Sequence, residues 1–250
     1  MTRKSISVLF FVALATLGTV AIVAWANVLE PGPRVALLYS FSIVELTAAL
    51  LVYRKVAGSA FMADLLPRGG LRAVKREVSA VALLAWVLTI ATMVFLTVRA
   101  DSIFAGSGNI AWQFIYFIVL IALPEELIYR GIAFEAFKKR VGLAIFASAA
   151  LFAFMHLNNG LPMLPYYFAF GILLGTLRRF GLTIAELVIW HGMFNFVNDT
   201  VWPATAFRSD QISFWVVAPL ALLAITGLVG WLMTEGGKWL TPPAETTSGG

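Results

Sequence analysis

The chain has 250 residues, of which 60% are hydrophobic and 12% charged, with a formal net charge of +5. A soluble domain carries roughly 25% charged residues, so this is not a soluble globular enzyme, a disordered tail or a nucleic-acid-binding module. Its basic residues sit in short clusters between long apolar runs, which is a pattern of membrane topology and not of a phosphate-binding face. Cysteine is absent, which excludes disulfides, thiol nucleophiles, zinc-thiolate sites, Cys-ligated iron–sulfur clusters and palmitoylation.

A bilayer core needs about 20 apolar residues per helix. On that scale the chain predicts an all-α polytopic membrane protein, a bundle of about eight transmembrane helices at 5–29, 34–53, 78–98, 110–137, 141–157, 162–178, 181–199 and 212–234. The first follows Arg3-Lys4, and Ala24-Trp25-Ala26 resembles a cleavage site. Its apolar run is longer than a signal-peptide core, so an uncleaved anchor is expected. The fourth is long and projects beyond the lipid. The fifth and sixth are separated by Asn158-Asn159-Gly160-Leu161-Pro162, a turn sequence. Gly171 and Gly175 form a small-xxx-small pattern that predicts close packing of the sixth helix on a neighbour. The chain divides into N-terminal helices and a cytoplasmic loop (1–109), a central core (110–200), a last transmembrane helix (201–240) and a polar, disordered tail (241–250).

Lys and Arg counts predict the orientation. With the N-terminus cytoplasmic, that side receives Arg3, Lys4, Arg54, Lys55, Arg68, Arg72, Lys75, Arg76, Arg130, Lys138, Lys139, Arg140, Arg178, Arg179 and Lys238, and the other side only Arg34, Arg99 and Arg208. Fifteen against three supports an even number of spans and two cytoplasmic termini.

Ionisable side chains inside a span are costly and usually mark function. Here they are few: Glu45 in the second span, Glu125, Glu126 and Arg130 in the fourth, His156 in the fifth, and Glu186 and His191, with Asn195, in the seventh. The fourth and fifth spans turn near Lys138-Lys139-Arg140. At 1.5 Å per residue, Glu125 and His156 each lie about 20–24 Å from that turn, and His191 lies about 18 Å past Arg179. Three ionisable groups from three helices thus share one layer. Glu126 and Arg130 are spaced i,i+4 as an ion pair, more valuable for positioning than for stability. Glu125 is rotated about 100° from Glu126. Phe152 lies one turn before His156, and His191 and Asn195 share a face.

A carboxylate and an imidazole flanking a buried water can activate it as a nucleophile. A second imidazole and a carboxamide can donate hydrogen bonds to a developing oxyanion. Together these are the parts of a peptide-bond hydrolase. Serine chemistry is poorly supported, because Gly106-Ser107-Gly108 falls in a predicted outer loop. Aspartyl chemistry lacks embedded acids, since Asp64, Asp101, Asp199 and Asp210 fall in loops or at span ends. A His-Glu-x-x-His zinc helix is absent.

Glu125-Glu126-Leu-Ile-Tyr-Arg130, Phe152-Ala-Phe-Met-His156 and His191-Gly-Met-Phe-Asn195 resemble, in order and spacing, the three motifs of the CAAX prenyl protease and bacteriocin-processing (CPBP or Abi) family. The resemblance covers about residues 110–200 and makes this segment the expected catalytic core. It implies an intramembrane endopeptidase whose relatives include the type II enzyme that removes the last three residues of prenylated proteins. By carry-over Glu125 is the general base, His156 shares the water, and His191 and Asn195 form the oxyanion hole. Glu126, Arg130 and Phe152 support the site. The family has been described both as metalloprotease and as glutamate-type. No cofactor is favoured here, but a zinc ion could use His156, His191 and Glu126.

Other readings stay open at this stage. Glu45 is expected to hydrogen-bond within the bundle, with a gate or substrate contact as the alternative. Glu186 could pair with Arg178 or Arg179, or enter the site. Tyr166-Tyr167, Trp202, Trp215, Trp231 and Trp239 read as interface anchors, and Asn158-Asn159 as a turn near a substrate entrance. The expected partners are a peptide or protein substrate at the membrane and the lipid bilayer, with no nucleic acid. A proton-coupled transporter and a catalytically silent membrane scaffold are the competing functions.

Overall fold

The computed structural model describes residues 3–65, 76–97, 109–137, 139–198 and 212–236, and these are helical throughout apart from turns. Helix α1 (Arg3–Ala26) leads into α2 (Pro31–Ala57), which continues through a 3-10 turn (Gly58–Ala60) into α3 (Phe61–Leu65). Helix α4 (Arg76–Thr97) follows. A composite helix then runs from Ile110 to Ala136 as α5 (Ile110–Ile115), α6 (Leu123–Glu126) and α7 (Phe134–Ala136), joined by two π-helical stretches. Helices α8 (Val141–Met155), α9 (Leu164–Arg179), α10 (Ile184–Phe196) and α11 (Ile212–Trp231) complete the bundle. The loop 66–75, Gly106-Ser107-Gly108, Lys138, Asp101, Asp199, Asp210, Trp202, Trp239 and the tail from Thr241 lie outside the described residues.

Among the described residues five helices are long and apolar enough to cross a membrane: Ile6–Ala26, Pro31–Leu65, Ile110–Ala136, Val141–Asn159 and Val216–Thr234. Phe10, Leu51, Phe146 and Leu220, on four of these helices, are exposed. In water such a surface would drive aggregation; in lipid it is the expected one. The protein is a multi-pass integral membrane protein. The other three expected spans are also helical: α4 has 22 residues, while α9 and α10 are shorter. At 1.5 Å per residue α9 and α10 reach only about 24 and 20 Å, less than the hydrocarbon thickness of about 30 Å. α9 lies against α8 and α11, and α10 against the composite helix.

Pro124 explains the composite helix. Proline has no N–H to donate to the carbonyl four residues back, and the helix widens on the preceding turn. Tyr116–Ala122 is π-helical, and the Leu123 N–H reaches back five residues to the Ile118 carbonyl. A second π-helical stretch, Leu127–Ala133, follows the two glutamates. Such widenings recur at functional sites.

Close helix contacts fall at glycines. A Cβ on Gly171 would meet the Ala149 Cα at 2.8 Å, and one on Gly175 would meet Ile145 at 3.2 Å, as the small-xxx-small spacing predicts. Gly171→Ala therefore forces α8 and α9 apart and is expected to cost about 1–3 kcal/mol, read as a lowered melting temperature in detergent. The turn between these helices depends on Gly160, whose φ of +99° suits glycine alone.

Asp64, expected in a loop or at a span end, lies at the end of the Pro31–Leu65 helix, buried on α3, where Tyr53 and Arg178 both donate to its carboxylate. Arg178 binds it in a fork, Nη1 to Oδ1 at 2.9 Å and Nη2 to Oδ2 at 2.5 Å, and also reaches the Leu182 carbonyl at 2.9 Å. This clamp ties the end of α2–α3 to the α9–α10 connection. Arg178 is thus engaged by Asp64, and Glu186 is not its partner. Glu186 closes a capping box with Thr183. Its Oε2 accepts from the Thr183 N–H at 2.7 Å, and the Thr183 Oγ1 accepts from the Glu186 N–H at 3.2 Å. Glu186 therefore starts α10 and does not enter the site.

Candidate active site

The acids on the composite helix point in two directions, as their 100° offset requires. Glu126 faces inward and is fully buried with Arg130, whose Nη1 donates to Glu126 Oε1 at 3.0 Å. Arg130 also donates through Nη2 to the Gly171 carbonyl at 3.3 Å, and its guanidinium lies 4.5 Å over the Phe152 ring. The composite helix, α8 and α9 are thereby pinned by one side chain. Arg130 was counted among the cytoplasmic basic residues; it is an internal ion-pair partner, which leaves fourteen against three.

Glu126 has a second task. Its Oε1 stands 2.8 Å from His191 Nδ1. A carboxylate can only accept, so Nδ1 carries the proton, and the ring is locked with Nε2 turned the other way. There it faces Glu125, with Nε2 3.7 Å from Glu125 Oε2. That oxygen is buried without a hydrogen-bond partner. A solvent molecule about 2.8 Å from each atom would sit off the line joining them.

His156 caps the C-terminus of α8, where the helix passes into a 3-10 turn (His156–Asn159). Its Nδ1 lies 2.9 Å from the Phe152 carbonyl. A carbonyl cannot donate, so Nδ1 holds the proton and a neutral ring presents the lone pair of Nε2. The ring is clasped between Phe152, 4.6 Å away, and Tyr167, stacked at 3.9 Å. Asn159 donates to the Tyr167 hydroxyl at 2.6 Å, and Asn158 ties the turn to the Val20 carbonyl of α1 at 2.8 Å. Phe152 also lies edge-on to His191 at 5.8 Å.

Glu125, His156, His191 and Asn195 all line one cavity of about 510 Å³. Glu45 lines it as well and accepts from Thr19 Oγ1 at 2.7 Å, so it is both hydrogen-bonded within the bundle and present at the site. Tyr166 and Tyr167 were expected at the membrane interface; both line the cavity, and Tyr166 is buried. Sequence reasoning missed Tyr167 as the ring against His156. The signal was available: a tyrosine in the first turn after the Gly160 reversal stands at the height of the histidine just before it.

Among the described residues no three His, Cys, Asp or Glu side chains cluster so as to hold a metal ion. Of the expected zinc set, Glu126 Oε1 is shared by Arg130 and His191 Nδ1 and His156 Nδ1 is held by a backbone carbonyl, so Nε2 is the atom each histidine could offer a metal.

The family model described as type II CAAX prenyl endopeptidase Rce1-like matches residues 107–197. Over this segment the chain is similar to the CAAX protease family. The matched stretch carries the composite helix and α8 to α10, that is, every motif residue from Glu125 to Asn195. No curated protein and no solved structure matches the chain. The matched family is a peptidase family, and of the motif residues Glu125, Phe152, His156, His191 and Asn195 line one cavity.

Proposed function

We propose that the protein is an intramembrane endopeptidase that hydrolyses peptide bonds of membrane-associated or C-terminally modified chains with a glutamate-activated water. The observation that carries this reading is the unpartnered Glu125 Oε2, buried 3.7 Å from His191 Nε2 in a cavity that His156 and Asn195 also line. Glu125 takes a proton from the water as its oxygen attacks the scissile carbonyl, and returns it to the departing amine as the C–N bond breaks. His156, neutral with its Nε2 lone pair free, helps hold the water. His191, its ring held by Glu126 through Nδ1, turns Nε2 toward the oxyanion beside the Asn195 carboxamide. Glu126, Arg130 and Phe152 hold these groups in place.

A transporter would need a polar path onward from the glutamates. Beyond Glu126 the second halves of the composite helix and α9 carry the fully buried Leu127, Ile128, Ile132, Leu173, Leu174 and Leu177, which favours a chamber that stops there.

The test is proteolysis of a peptide library by the protein reconstituted in liposomes, with and without a chelator. Cleavage that persists in chelator is the expected result. Activity lost to the chelator and restored by zinc would overturn the metal-free mechanism while leaving the peptidase in place.

A further inference from the structure

The cavity occupies one end of the bundle, and the helices fix which end. Its lining comes from the last turns of α1 and α10, the first halves of α2, the composite helix and α9, and the end of α8 with its following turn. Because successive helices run antiparallel, these stretches all belong to the end that carries the α1–α2 and α8–α9 connections. From that end the cavity reaches well into the bundle: His156 caps α8 and His191 lies five residues before Phe196, the end of α10, while Glu125 lies about 22 Å past Ile110 at helical rise.

The basic residues gather at the opposite end. Arg54 and Lys55 close α2, Lys139 and Arg140 precede α8, and Arg178 and Arg179 close α9. Among the described residues Arg34 is the one Lys or Arg at the cavity end. Trp25 and Trp112 are exposed there, as expected of rings at a membrane–water interface. Chain connections rich in Lys and Arg stay on the cytoplasmic side during insertion.

We infer that the candidate active site takes its substrate from the non-cytoplasmic face of the membrane. Its substrate class is the extracytoplasmic segment of an anchored or translocated chain, threaded in by a few extended residues. A tail held at the cytoplasmic surface lies across the apolar packing of Leu127, Leu173 and Leu177. The word substrate rests on the peptidase reading above; the sidedness does not.

The absence of cysteine makes the test direct. Single substitutions Asn27→Cys and Val28→Cys mark the cavity end, and Lys55→Cys and Arg179→Cys mark the other; all four positions are exposed. The full chain is expressed in a bacterial host, and intact cells are treated with a membrane-impermeant maleimide. The expected result is labelling of Asn27→Cys and Val28→Cys in intact cells, and of Lys55→Cys and Arg179→Cys only after permeabilisation. Labelling of either basic-end cysteine in intact cells, or its absence at both cavity-end cysteines, overturns the inference. A second arm supplies a membrane-impermeant quenched peptide outside or inside sealed right-side-out vesicles. Cleavage of the outside peptide alone is expected, and cleavage of the enclosed peptide alone overturns the assignment. If neither peptide is cut while the labelling follows the expected pattern, the peptidase reading fails and the sidedness stands.

Discussion

Glu125→Gln is expected to lower peptide hydrolysis by about 10²–10⁴-fold while the protein still inserts and folds. The large kinetic effect follows from the role, since a carboxamide cannot take the proton of the attacking water. The small structural effect follows from the surroundings. Glu125 Oε2 has no hydrogen-bond partner, and His191 Nε2 lies 3.7 Å from it. The amide keeps the shape of the acid and breaks no hydrogen bond of that oxygen. Initial rates in proteoliposomes and melting temperature in detergent, measured on the same preparation, check both halves. A folded variant that cleaves at the wild-type rate would remove Glu125 from the chemistry. A variant that fails to fold would favour the silent scaffold, in which the acid serves stability.

Arg130 predicts the opposite pattern. Arg130→Met leaves Glu126 buried and without its counter-charge, and truncating one member of a buried pair costs about 3–5 kcal/mol. Glu126→Gln leaves Arg130 uncompensated and is expected to cost a similar amount. The two together remove both charges, so the double variant should be markedly more stable than the sum of the single effects implies. It should nevertheless be less active, because the carboxylate that Nδ1 of His191 contacts at 2.8 Å is replaced by a weaker, neutral acceptor. Denaturant or thermal unfolding of the three variants reads the coupling. Single effects below about 1 kcal/mol that add independently would mean that the pair is not the keystone of the site.

The motifs were legible because the lipid makes them so. In a bundle where almost every side chain is apolar, Glu125, Glu126, Arg130, His156 and His191 stand out, and helical rise alone places three of them in one layer. The offset between the two glutamates, the Glu126–Arg130 pair, the Phe152–His156 stack and the close approach at Gly171 all follow from local spacing, and the structure has them. What local spacing does not carry is pairing between distant segments. Asp64 and Arg178 are 114 residues apart, and nothing in either neighbourhood announces the other. Tyr167 looks like an interface residue until the hairpin is closed and its ring falls on His156. Glu186 was the avoidable error, since Thr183-Ile-Ala-Glu186 is a capping-box sequence and needed no tertiary information. The π-helical widening around Pro124 was likewise implicit in the proline but invisible to a count of apolar residues. The number of full crossings is the coarsest point, because α9 and α10 are apolar enough for lipid and too short to span it unaided.

The central claim is that water activated in this cavity adds to a peptide bond. It is tested most directly by letting the wild-type protein, in liposomes, cut a peptide in water enriched in oxygen-18 and weighing the products. The account predicts one heavy oxygen in the new carboxyl terminus, one unlabelled new amine, and neither product from Glu125→Gln. Intact peptide after prolonged incubation with folded wild-type protein, or equal cleavage by Glu125→Gln, would contradict it.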